Sequence, residues 1–130
     1  MIVIDRGDGI EAALLGYSMP LEPEPTDAFG DVARPLIELE NEALGTWYLN
    51  AIATFPEARG RGHATCLLGL AEGLAHEAGN TTISLITSDT NAEARRLYQR
   101  HGYRVTDSRP IVQGSWNGDG TEWLLFVKEL

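Results

Sequence analysis

At 130 residues the chain can bury one core but is too short for two, and 43% hydrophobic with 22% charged residues reads as one globular domain over residues 1–130. A net charge of −9 excludes a general nucleic-acid binder, and a single cysteine, Cys66, excludes an internal disulfide or a multi-cysteine metal centre. No apolar run approaches the roughly 18 residues of a membrane span. The start, Met1 to Arg6, is not a basic leader followed by a long apolar stretch, so a cytoplasmic protein is expected.

Met1 to Arg6 and Ile10 to Met19 read as two strands joined by Gly7-Asp8-Gly9, residues that accept the positive φ of a tight turn. Pro20 to Pro25 holds three prolines and is expected as a loop, opening an insertion over residues 20–46. Within it, Asp31 to Ala43 predicts a short helix with Asp31 as its cap and Gly45 past its end. Trp47 to Phe55 is apolar and β-prone and stops before Pro56. From Gly62 to Ala78 the residues Ala64, Leu67, Leu68, Ala71, Leu74 and Ala75 recur at helical spacing, and Gly79 ends the run. Gly69 and Gly73 inside that helix suggest close approach to a sheet, Glu72 is expected at the surface, and Cys66 is expected as a small buried hydrophobe. Thr81 to Ser88 predicts a strand. Thr90-Asn91-Ala92-Glu93 has the form of a capping box, with Thr90 as the cap of a helix running to His101 and closed by Gly102. Tyr103 to Val112 and Glu122 to Leu130 are the last strands. Strands and helices mixed in this order predict an α/β (α+β) fold, a mixed sheet with helices on its faces.

Charge is unevenly placed. Residues 1–57 carry eleven acids against Arg6 and Arg34, whereas six of the ten basic residues lie between Arg59 and Arg104. The segment Arg59-Gly60-Arg61-Gly62-His63-Ala64-Thr65 joins a strand to a helix. Its small residues let a ligand approach the backbone, and the helix start directs unpaired N–H groups and partial positive charge into the turn. Arg59 and Arg61 add formal charge. The turn therefore suits a phosphate-bearing ligand. It has no Gly-Lys-Ser/Thr, so it is not a P-loop, and Gly-x-Gly-x-Ala falls short of the dinucleotide fingerprint. His63, His76 and His101 show no metal-ligand spacing, and no metal is expected.

Arg59 to Ala64 resembles motif A of the GNAT N-acetyltransferases, Arg/Gln-x-x-Gly-x-Gly/Ala. Asn91-Ala92-Glu93-Ala94-Arg95-Arg96-Leu97-Tyr98, followed by Gly102-Tyr103, resembles that family's motif B. Both stand in the right order with a helix and a strand between them, and the likeness is strongest from Trp47 to Val105. It implies the GNAT-type, largely antiparallel mixed sheet and acetyl-CoA as cosubstrate. It also implies transfer of acetyl to a primary amine of a small molecule or peptide by direct attack. Residue by residue, Ile52, Ala53 and Thr54 would lend strand backbone to the pantetheine arm and thioester. Arg59, Gly60, Arg61, Gly62, His63, Ala64 and Thr65 would hold the pyrophosphate, and Asn91 would contact the cofactor. Tyr98 would face the sulfur and protonate the leaving thiolate. A tyrosine on an amphipathic helix is also what a core aromatic looks like; the upstream motif favours the acid.

The family's first strand and following helices have no counterpart before Met1, and the insertion at 20–46 is longer than usual there, a candidate replacement wall or interface. Its acids, Glu22, Glu24, Asp27, Asp31, Glu38, Glu40 and Glu42, face only Arg34. They suit a cationic amine or simply a solvated surface. No general base is assigned; Glu38, Glu40 and Glu42 lie before the cofactor strand, and Asn50 can hold a water. An unpaired first strand and an apolar insertion helix predict a homodimer. A non-catalytic acyl-CoA-sensing module on the same fold is the alternative.

Overall fold

The computed structural model describes residues 2–5, 10–25, 30–54, 63–112 and 121–130, with side chains from residue 13 to 50 within those ranges and from 63 onward. The elements are β1 (Ile2–Asp5), β2 (Ile10–Ser18), α1 (Arg34–Asn41), β3 (Trp47–Thr54), α2 (His63–Glu77), β4 (Thr82–Ser88), α3 (Ala92–Arg100), β5 (Arg104–Pro110) and β6 (Glu122–Glu129). They match the order of strands and helices predicted from the sequence pattern. The turn Gly7-Asp8-Gly9 lies outside the described residues.

The strands form one sheet in the order β1-β2-β3-β4-β6-β5. Only β3 and β4 run parallel. That pair is joined through α2, the kind of crossover that parallel neighbours need. Because successive strand residues point to opposite faces, each strand feeds two cores. On one face Leu14, Trp47, Leu49, Ile83, Leu85, Leu124 and Phe126 pack against Leu67, Leu68, Ala71 and Ala75 of α2 and Tyr98 of α3. On the other, Leu125 packs against Leu39 of α1 and Ala43, with Ile86, Trp123 and Val127 alongside. The insertion thus folds back across its own sheet. It leaves and returns at one point, where the Met19 N–H donates to the Thr46 carbonyl at 2.8 Å.

Five local expectations are corrected. α1 is capped at Ala33 with no side-chain cap bond, and Asp31 instead pairs with Arg34 at 2.9 Å. Pro35 in the first turn, whose missing N–H costs nothing there, sets the start of α1 instead. α3 is capped by Asn91, whose side-chain oxygen accepts from the Ala94 N–H, while the Thr90 and Ser88 hydroxyls bond each other at 3.0 Å. Asn91 sits one residue nearer the helix, and its amide oxygen, a bond longer in reach than the Thr90 hydroxyl, takes the orphan donor. Gly69 and Gly73 are exposed with nothing within 4 Å of where a Cβ would stand, so Ala71 and Ala75, not the glycines, are the small residues against the sheet. Cys66 lies on the outer face of α2 and is exposed. Glu72, expected at the surface, is instead half-buried: it accepts from Lys128 Nζ at 2.6 Å and from the Tyr103 hydroxyl at 3.3 Å, tying α2 to β6.

Candidate functional site

The site begins where the sheet comes apart. β3 and β4 are paired at Trp47↔Ile83, Tyr48↔Ser84 and Leu49↔Leu85, and there the pairing stops. β3 nonetheless continues to Thr54, holding β2 through Ala51↔Leu15, Ile52↔Leu14, Ala53↔Ala13 and Thr54↔Ala12. β4 continues to Ser88 on β6. Between the two, the facing backbone edges carry no mutual ladder bonds, and strand N–H and C=O groups left so are ready to bind a ligand. A bulge bends β3 at the fork. Leu15 faces Ala51 and Gly16 faces Leu49, so Asn50 is the extra residue. Gly16 is required there because a Cβ would lie 2.2 Å from Cη2 of the buried Trp47.

Ile52, Ala53 and Thr54 therefore stand on the free edge of the fork as backbone; their side chains lie outside the described residues, as do Arg59, Gly60, Arg61 and Gly62 altogether. α2 starts at His63, which is buried; Ala64 is half-buried and Thr65 exposed. The helix packs on β2 and β3, so its positive N-terminal end belongs to the same side of the molecule as the fork. Asn91 is exposed at the start of α3 and its side chain is engaged by the cap. Near it Arg95 Nη1 donates to the Asp89 carbonyl at 2.9 Å.

Tyr98 lies in the same packed cluster as Leu49 and Leu85, the last paired residues before the fork. Its ring is 5.6 Å from that of Phe126 and 5.9 Å from that of Tyr103. Burial pushes its hydroxyl up to about 12, because the phenolate would lose its water. The phenol is therefore protonated across the neutral range, a state that can donate.

Sequence reasoning did not find the cavity on the opposite face. It is a cavity of about 110 Å³, partly open to solvent, between α1, the loop before it and the end of β2, with Tyr17, Glu22, Glu24 and Glu40 over a floor of Ile37 and Leu44. The Tyr17 and Tyr48 rings meet edge to face at 5.9 Å. Burial, then the neighbouring Glu24, hold the Glu40 carboxyl above the usual carboxylate range, against a hydrogen-bonding pull from the Tyr48 hydroxyl. Burial and the Glu40 charge raise Tyr48 in turn, and Tyr17 is raised by burial, Glu40 and Glu24 while Asn50 opposes. The available signal was the alternation in β3, which turns Tyr48 and Asn50 away from the face of Trp47 and Leu49.

A family model described as the Acetyltransferase (GNAT) family matches residues 30–103. That is more than half of the chain and spans α1, the fork, α2 and α3. The chain belongs to the GNAT acetyltransferase family. No curated protein sequence matches it. Among solved structures, a Pyrococcus horikoshii OT3 protein is 16% identical at a TM-score of 0.70, covering 98% of this chain and 63% of that one. A nourseothricin acetyltransferase is 28% identical at 0.58, covering 64% of this chain and 49% of that one. A GNAT family acetyltransferase from Elizabethkingia anophelis with acetyl-CoA bound is 18% identical at 0.69, covering 98% and 74%. The chain thus spans only about half to two thirds of the first two structures, and over its own length it has the GNAT fold. Among the described residues no helix is long and apolar enough to cross a membrane.

Proposed function

We propose that this chain is an acetyl-CoA-dependent N-acetyltransferase acting on a primary amine of a small molecule or peptide. The observation that carries the reading is the fork between β3 and β4. It leaves the backbone of Ile52, Ala53 and Thr54 free to hold an extended pantetheine arm and to donate to the oxyanion that forms at the thioester. The turn Arg59 to Thr65, leading into α2, would take the pyrophosphate. Asn91 would serve the cofactor through its place at the α3 start. Tyr98, protonated and packed at the root of the fork, would return a proton to the leaving thiolate. Direct attack by a neutral amine needs no covalent enzyme intermediate.

Titration calorimetry with acetyl-CoA, CoA and AMP, then thiol release with an amine panel, tests this. Acetyl-CoA should bind and Gly62→Val should abolish that binding with the fold intact. Affinity for CoA no better than for AMP refutes the site. Tyr98→Phe should lower kcat by roughly 10- to 10,000-fold with CoA affinity unchanged. A variant that turns over normally but melts early makes Tyr98 a core residue. The rival reading, an acyl-CoA-sensing module without catalysis, draws on the aromatic burial of Tyr98 and predicts acetyl-CoA binding with no acceptor consumed.

We also propose a cytoplasmic homodimer. Cys66 is an exposed thiol, which suits a reducing compartment. Since α1 buries Ile37 and Leu39 on its own sheet, the interface falls to β1, an edge strand rather than the insertion helix. Sedimentation equilibrium showing a 14.2 kDa species at all concentrations overturns the dimer.

A further inference from the structure

Any alkylamine reaching the fork at neutral pH arrives as an ammonium ion, which has no lone pair for attack. The reaction proposed above therefore needs a group that removes a proton, and the two strands of the fork, β3 and β4, carry no acidic residue or histidine. The cavity under α1 does. It shares β3 with the fork: Tyr48 stands one residue before the last pair with β4, and Asn50, at the bulge, interacts with Tyr17 of the cavity wall. It lies on the face opposite α2, so an acceptor entering there would meet the thioester from the side that the cofactor helix leaves open. Glu40 is half-buried, on the face of α1 turned to the cavity, beside the Tyr48 hydroxyl. The mixture is that of a ligand site, an apolar floor with a few convergent polar groups.

Resting on the acetyl-transfer reading, we propose that the cavity under α1 seats the acceptor alkylammonium and that Glu40 is the base that takes its proton. The carboxylate accepts one proton from the ammonium and frees the nitrogen lone pair. The C–N bond then forms at the thioester carbonyl and the C–S bond breaks. The second nitrogen proton leaves as the amide forms, the thiolate leaves as thiol, and the proton on Glu40 returns to solvent. The groups facing Glu40 set its working range. Burial and then Glu24 from the loop raise it, Glu22 lines the same wall, and Tyr48 of β3 opposes, while Tyr17 of β2 stays neutral. A base poised above the usual carboxylate range is nearer the operating pH, where proton transfer is most effective.

The test uses the full chain, acetyl-CoA and 1,4-diaminobutane, with kcat followed against pH by thiol release. Wild type should lose activity as pH falls through the raised value of Glu40. Glu40→Gln should lower kcat roughly 100-fold and flatten that acidic limb, with acetyl-CoA affinity retained by calorimetry, and Glu40→Asp should recover part of the rate. Glu24→Gln keeps the backbone bonds that residue 24 makes with Asn41 and removes a repelling charge. It should move the acidic limb to lower pH, a shift that a purely structural role for Glu40 does not produce. Normal turnover by Glu40→Gln, an unmoved limb in Glu24→Gln, or tight acetyl-CoA binding with no diamine consumed overturns the assignment and leaves the cofactor site standing. Loss of acetyl-CoA binding in wild type removes both.

Discussion

The two faces of the sheet are built to different standards. Among the described residues the α2 face joins thirteen buried side chains into one cluster, including Phe126, Leu67 and Leu68 at zero exposure. The α1 face joins three, Leu39, Ala43 and Leu125, and completes its contact with hydrogen bonds and ion pairs. There Asn41 clasps Glu24 backbone through two bonds of 2.9 and 3.0 Å, and Arg109 reaches Glu42 at 3.1 Å and Asp107 at 2.6 Å. The difference teaches which part is frame and which part is adaptable. The face that must hold the fork and α2 in fixed relation is close-packed and apolar. The face that lines the cavity has a small anchor and a polar fringe, which can change without dismantling the sheet.

Breaking each face should show this directly. Phe126→Ala opens a cavity at the centre of the larger cluster and should cost about 3–5 kcal/mol by urea unfolding. It should weaken acetyl-CoA binding too, because α2 and α3 both rest on that cluster. Leu39→Ala, also at zero exposure, should cost about 2–4 kcal/mol, yet acetyl-CoA affinity should hold while the KM for an amine rises. Equal loss of cofactor binding in the two variants would erase the distinction.

The sequence pattern alone exposed more of the α2 face than of the α1 face, for a physical reason. α2 repeats Leu67, Leu68, Ala71 and Ala75 at the spacing of a helix lying on a sheet, and the turn before it carries glycines and arginines whose chemistry is local. Those signals survive without knowing the fold. The fork does not, since nothing in Leu49 to Thr54 says that pairing with β4 ends at Leu85 while pairing with β2 goes on. The cavity was hidden for the same reason: Tyr17, Glu24, Glu40 and Tyr48 are separated along the chain and meet only when α1 folds back. Asn91 outcompeted Thr90 as a cap because side-chain reach, not motif position, decides which orphan N–H is met. Gly69 and Gly73 misled because a small residue in a helix marks a close approach only on the face that has a neighbour.

The bulge offers a smaller and sharper perturbation. Gly16→Ala would drive its new methyl into the Trp47 ring, whose nearest atoms stand 2.2 and 2.5 Å from the Cβ position. Trp47 is itself 5% exposed and enclosed by the larger cluster, so it cannot swing clear. Overpacking of this kind should cost about 1–3 kcal/mol. Because Gly16 faces Leu49 beside the fork, acetyl-CoA affinity should fall with stability. A variant that loses stability but binds acetyl-CoA as wild type does would place the strain outside the cofactor side.

The smallest effect is expected at Arg109, and it bears on how α1 is held. Its guanidinium lies among Glu38, Glu42 and Asp107, joining β5 to α1. Hydrogen bonds from Glu42 and Arg109 hold Asp107 down to about 2, whereas sharing with Asp107 keeps Glu42 above its usual range. The two carboxyls thus share the Arg109 guanidinium between them. A carboxyl depressed in the fold lends stability above its unfolded value that is lost as pH falls through the folded one, here from near 4 towards about 2. Arg109→Met keeps the aliphatic stem and removes the charge. Arg109 is about a third exposed, at 31%, so water and salt screen its pairs, and the variant should lose no more than about 1 kcal/mol. The loss should shrink in high salt. Near the acid end the gap to wild type should close, since Asp107 is by then protonated in both. A loss above about 2 kcal/mol, beyond the range of exposed pairs, would mean that ions rather than Leu39 anchor α1. The lighter face would then be an electrostatic lid instead of a small second core.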